Sequence, residues 1–146
     1  MPAKSVATRV GGAATARNKT AVGVDRKGLS GPALRAFFNI AELWQLSNEE
    51  QMTLLGVATS STFFKWKKDV GAVKLPRDTL ERISYILGIY KALQILLPRL
   101  EAAGAWIKKP NAATPFGGKS ALDRMLSGQV ADLRVVRQYL DAQRGG

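Results

Sequence analysis

The tetrapeptide Ser47-Asn48-Glu49-Glu50 and the later Gly56 fix both ends of a short helix, and this punctuation constrains the chain more than any other feature. A serine hydroxyl at a helix start accepts the N–H three residues on, and a glutamate there reaches back to the serine N–H, so Ser47 and Glu50 can form a capping box. Gly56 tolerates the left-handed conformation that ends a helix. A helix is therefore expected from Asn48 to Leu55, with Met52, Leu54 and Leu55 turned inward. After Val57-Ala58, Thr59 or Ser60 can cap a further helix to about Asp69. Helix, tight glycine-containing turn and second helix are the length and punctuation of a helix-turn-helix.

The second helix of that pair reads Thr59-Ser60-Ser61-Thr62-Phe63-Phe64-Lys65-Trp66-Lys67-Lys68. In such motifs the N-terminal end of this helix enters the major groove, where small hydroxyl residues reach base edges and phosphates. Ser60, Ser61 and Thr62 are the candidates for that contact, and Lys65, Lys67 and Lys68 add positive charge beside it. A lysine cluster can equally be a solvated face. Phe63 and Trp66, at i and i+3, are read as the face that anchors the helix to the core.

Charge supports a polyanionic partner. The 146 residues hold 22 Lys and Arg against 11 Asp and Glu, a formal net charge of +11, which points first to nucleic acid. The chain has no His and no Cys. Thiolate or imidazole metal sites, a Ser-His-Asp triad, a Cys nucleophile and a disulfide are therefore excluded, and the absence of thiols fits a reducing cytoplasm. Neither metal nor cofactor is expected. Carboxylates such as Glu49, Glu50, Glu101 and Asp123 read as helix-start charges and solvated faces rather than as catalytic groups. Gly117-Gly118-Lys119-Ser120 lacks the upstream glycine of a phosphate-binding loop. No apolar run reaches the roughly 18 residues of a membrane span, and the N-terminus has no apolar signal region.

Residues 1–28 carry Lys4, Arg9, Arg17, Lys19, Arg26 and Lys27 against the single acid Asp25, with no aromatic side chain. This composition reads as a flexible basic arm, either lying along phosphates or solubilising the chain. Ordered structure is expected to begin near Ser30-Gly31-Pro32, with Ser30 as cap and Pro32 in the first turn of a helix over Ala33–Gln45. Its wide apolar face comprises Leu34, Phe37, Phe38, Ala41, Leu43 and Trp44. Val70 to Pro76 is expected to be a loop. A long helix follows from Arg77 or Asp78 to Leu97, with apolar positions covering more than one face. One face can pack on the helix-turn-helix; the other needs a C-terminal domain or a symmetry mate, so a homodimer is expected.

Pro98 breaks or kinks the chain before a helix over Arg99–Lys108. Lys109 to Gly118 is too rich in Pro and Gly for regular helix. Ser120 caps a short helix with Asp123 as the acidic partner, and Gly128 ends it. A last helix spans about Gln129–Gln143, with Val130, Leu133, Val136, Arg137 and Leu140 on one stripe and Gly145-Gly146 left free. The organisation expected is all-α: an arm over 1–28, a helix-turn-helix domain over 29–98, and a small helical C-terminal domain over 99–146.

The string Trp106, Pro110-Asn111, Pro115, Gly117-Gly118, Lys119-Ser120-Ala121-Leu122-Asp123, Leu126, Gly128 and the Val135-Val136 to Leu140 helix resembles the C-terminal toxin-binding domain of the Xre/MbcA/ParS-type antitoxins. The upstream part is similar to the Xre-like helix-turn-helix of the same proteins, so the resemblance covers roughly residues 30–146. Ala121 stands where Pro is common in the family, and the arm has no clear counterpart. The resemblance implies a type II antitoxin paired with a RES-domain toxin that consumes NAD. It further implies that the C-terminal region blocks the toxin's NAD pocket and that the complex represses its own operon through operator DNA. Toxin contact falls, on this resemblance, to Trp106, Asn111, Arg137, Asp141, Arg144, Gly145 and Gly146. The Gly146 carboxylate or Asp141 is expected to fill the anion subsite of that pocket. The competing expectation is a stand-alone helix-turn-helix regulator whose C-terminal domain only dimerises.

Overall fold

A computed structural model describes residues 28–145. Apart from Gly28, the basic arm lies outside the described residues, as does Gly146. Among the described residues the chain is all-helical: α1 (28–43), α2 (Asn48–Leu55), α3 (Ser60–Lys68), α4 (Arg77–Leu96), α5 (Leu100–Lys108), α6 (Ala121–Met125) and α7 (Val130–Gly145). None of these helices is long and apolar enough to cross a membrane.

α1 buries Leu34, Phe37, Ile40 and Ala41, at i, i+3, i+6 and i+7, on the inward face of an amphipathic helix. Two expectations for this helix are corrected. Helix is already formed at residue 28 rather than beginning at Ala33, so Ser30 is not its cap and Pro32 lies past its first turn. Ser30 is fully buried, and its Oγ accepts the Leu75 N–H at 2.8 Å. A hydroxyl that finds a backbone donor from the far side of the core has a tertiary role that local capping rules do not foresee. Leu43 is 44% exposed rather than part of the apolar face. The helix closes beyond it, with Trp44 N–H on Ile40 O, Leu46 N–H on Ala41 O, and Gln45 at φ 55°.

The helix-turn-helix forms from the residues expected. Ser47 N–H donates to Glu50 Oε1 at 2.8 Å and Glu50 N–H to Ser47 Oγ at 3.1 Å, completing the capping box of α2. Gly56 ends α2 at φ 73°, and a Cβ there would fall 2.7 Å from Arg82 Nε. Thr59 caps α3. The expected loop after α3 contains a single 3-10 turn, Val70–Ala72.

α4 buries Ile83, Ile86, Ile89, Ala92 and Leu93, and the Thr79 hydroxyl at its start donates to Leu55 O at the end of α2. Its second apolar face is covered by α7 of the same chain through Leu133, Val136 and Leu140. No symmetry mate is needed for that purpose. α5 packs on α4 and α6, and buries Ala103 and Ile107. Residues 109–118 turn back on themselves: Asn111 N–H donates to Lys119 O and Gly118 N–H to Asn111 O, with Gly117 and Gly118 at positive φ. α6 carries the Ser120–Asp123 capping box. Gly145 is the last residue of α7 rather than a free end, since nothing in the sequence before it stops helix propagation.

Both halves share one hydrophobic cluster that runs from Leu34 and Phe63 to Ile107, Val136 and Leu140. Arg82 ties the halves at their turns: it packs on Gly56, pairs with Asp78 at 2.8 Å and donates from Nη2 to Gly128 O at 3.0 Å. Replacing Ser30 with Ala leaves the buried Leu75 N–H without this acceptor. Ser30→Ala is expected to lower the unfolding free energy in urea by ~1–3 kcal/mol, with α3 and α7 still formed in the native state.

Candidate functional site

The candidate DNA-contacting residues sit on α3 because Thr59 stops the turn and Phe63 fixes the helix to the core. Phe63 is fully buried, and its ring meets Phe38 of α1 edge-on at 6.0 Å. Trp66 is half-buried against the same core. Ser60 and Ser61 are exposed at the N-terminal end, where unpaired helix N–H groups favour anions. Thr62 is half-buried, with its Oγ1 accepting the Thr59 hydroxyl at 3.0 Å.

The three lysines of α3 are exposed, but they do not lie together. Lys65 and Lys68 line a concavity of about 570 Å³ with Thr62, Trp66 and Asp69. Lys67 turns the other way, its Nζ 5.6 Å from the Phe38 ring centroid and 5.5 Å from that of Phe63. Lys74 borders the same concavity as Lys65 and Lys68. Sequence reasoning missed it because it belongs to no helical period; the only signal was its nearness to Pro76 and the helix start.

The C-terminal candidates do not form one cluster. Trp106 on α5 is half-buried and stacks on Tyr139 of α7, with centroids 6.5 Å apart and planes at 18°. Phe116 meets both rings edge-on, at 6.1 Å and 5.1 Å. Tyr139 was not singled out in the sequence, although its spacing from Val135 and Val136 places it on the side of α7 next to them. Arg137, Asp141 and Arg144 form a separate ladder along α7. Arg137 lies over Gly88 of α4, where an added Cβ would sit 2.5 Å from its Nε. Asp141 pairs with Arg137 at 3.6 Å and with Arg144 at 3.7 Å, so its charge is already offset within the chain. Asn111 accepts the Ala113 N–H on Oδ1 at 2.9 Å and so shapes the turn before α6. Gly145 is exposed at the end of α7.

Residues 23–88 match the antitoxin Xre-like helix-turn-helix domain, and residues 92–146 match the antitoxin Xre/MbcA/ParS C-terminal toxin-binding domain. The chain belongs to the Xre/MbcA/ParS antitoxin family. It is 58% identical over 113 residues to the uncharacterized protein y4oB of Sinorhizobium fredii (strain NBRC 101917 / NGR234), which covers 77% of this chain and 84% of that one. No solved structure matches the antitoxin.

Both matched regions of the antitoxin are held by polar contacts as well as by the core. Arg124 of α6 reaches Asp132 of α7 at 2.9 Å and donates to Pro115 O, fastening residues 115–132 as one unit. Among the described residues no group of three or more acidic side chains clusters to hold a metal ion. The Ser127 hydroxyl, followed by the Arg124 guanidinium, holds the Asp132 carboxyl below the usual aspartate range against an opposing effect of burial. A carboxyl whose folded pKa is lowered stabilises the fold above its unfolded pKa, and that contribution is lost as pH falls through the folded value. Asp132→Asn is therefore expected to be less stable than the parent at neutral pH by up to about 1 kcal/mol. In urea titrations the gap should close as pH falls below about 4.

Proposed function

We propose that this antitoxin neutralises a NAD-consuming RES-domain toxin by seating its C-terminal face on the toxin's active site, and that the antitoxin represses its own operon by binding operator DNA through α3. It acts in the cytoplasm, as a homodimer, and performs no catalysis itself. The observation that carries the reading is the union, in one chain, of an exposed hydroxyl-and-lysine helix in a helix-turn-helix with a segment matching the family's toxin-binding domain.

Ser60, Ser61 and Thr62 approach the bases, with Lys65 and Lys68 of α3 on the flanking phosphates. Trp106, Asn111, Arg137, Asp141, Arg144, Gly145 and Gly146 face the toxin. The half-buried Trp106 suits the aromatic anchor that dominates many interfaces. Asp141 must leave Arg137 and Arg144 to meet a cationic pocket, which makes that exchange electrostatically near-balanced. Pairing of two copies is supported by the apolar groove between α1 and α4, which is lined by Leu29, Ala33, Leu80 and Leu87 and continues past Leu43 and Tyr90.

Co-expression with the toxin encoded by the adjacent gene tests the reading. The toxin alone should deplete cellular NAD and stop growth, and the full antitoxin should restore both. A variant lacking residues 142–146 should fail to restore them while still retarding the operator duplex in gels. Full protection by that variant would contradict the assignment of the α7 end to the toxin pocket.

A further inference from the structure

The net charge of α3 does not distinguish its lysines, but their placement does. Lys65 and Lys68 are three residues apart and share a helix face, whereas Lys67 is displaced by about 200° from Lys65 around the axis. The chain after α3 makes the 3-10 turn Val70–Ala72 and returns Lys74 to the concavity that Lys65 and Lys68 line. Three ammonium groups therefore border one depression of about 570 Å³ with a single carboxylate, Asp69, among them. Trp66 and Val73 supply its apolar part. All three lysines are exposed and free to extend toward a partner.

Lys67 is differently employed. Its ammonium stands over the Phe38 and Phe63 rings, the pair through which α3 is fixed to α1. A cation over an aromatic face is attracted by the ring quadrupole, and the lysine stem also shields the ring edges from water.

We propose that Lys74, outside the helix-turn-helix proper, joins Lys65 and Lys68 in one surface that binds the phosphate backbone of duplex DNA, whereas Lys67 makes no DNA contact and instead holds α3 against α1. This rests on the reading of α3 as the DNA-binding helix. Duplex DNA fits better than an acidic protein segment because the concavity is also lined by Thr62, from the end of α3 read as approaching the bases. Phosphate contacts beside a helix in the major groove fix its register without reading sequence. The three lysines are placed to do this on one flank of α3.

The test uses the full-length chain, a fluorescein-labelled mixed-sequence duplex and anisotropy titrations between about 50 and 200 mM NaCl, where each neutralised phosphate contributes close to one unit to the slope of log affinity against log salt. Lys74→Gln, Lys65→Gln and Lys68→Gln should each lower the slope magnitude by about 1, with melting temperatures unchanged. Lys67→Gln should leave the slope at the parent value and lower the melting temperature by about 2–4 °C. A parent-like slope for Lys74→Gln, or a slope loss for Lys67→Gln equal to that of Lys65→Gln, would overturn the partition while leaving the DNA-binding reading intact. Absence of salt-dependent binding by the parent chain would overturn that reading and the proposal with it. Weaker toxin capture by Lys74→Gln at an unchanged slope would assign the surface to an acidic face of the toxin instead.

Discussion

The structure depends on the double burial of α4. A helix with apolar residues on more than one face cannot stand at a surface, because each isoleucine or leucine left in water forgoes about 1.5–3 kcal/mol of burial. Ile83, Ile86, Ile89 and Leu93 are all within 1% of complete burial, and the elements that cover them come from both ends of the chain. The N-terminal helices take one side and α7 takes the other. Family matches divide the sequence near residue 90, yet the core is undivided there, since both matched regions meet on the same helix.

This arrangement explains how so short a chain supports two contact surfaces. Neither half has to complete a core by itself, which matters because small domains bury too little apolar surface for much stability. α3 is held mainly through Phe63 and Phe38, so its outer residues are left free for a partner. The aromatic group of Trp106, Phe116 and Tyr139 is assembled from α5, the turn before α6, and α7. Arg82 lies between the two regions, with one contact on the turn that sets the angle of α3 and another on the turn that starts α7.

Features fixed by local chemistry were legible in the sequence. The capping boxes at Ser47 and Ser120, the stop at Gly56, and the extents of α2, α3 and α5 follow from hydrogen bonds within a few residues, whereas α6 already closes at Leu126 rather than at the expected Gly128. The C-terminal motif carried the family, because several residues agreed in order and spacing. Features set by distant partners were not legible. Ser30 reads as a cap until Leu75 is brought to it, and Leu43 reads as core because periodicity cannot show where its neighbours stop. Lys67 resembles Lys65 and Lys68 in sequence; its place over the Phe63 ring and over the Phe38 ring brought in by α1 distinguishes it. Lys74 and Tyr139 were missed because each gains its neighbours from a turn or a helix far along the chain.

The most direct test of this account is amide hydrogen exchange of the full-length antitoxin, followed by mass spectrometry across a series of urea concentrations. If α4 joins both surfaces in one core, the slowest amides of α1 and α2 and those of α7 should lose protection together, with the same free energy and urea dependence. Loss of protection in α7 at urea concentrations where α1, α2 and α4 remain fully protected would contradict it, because the two surfaces would then belong to separate folding units.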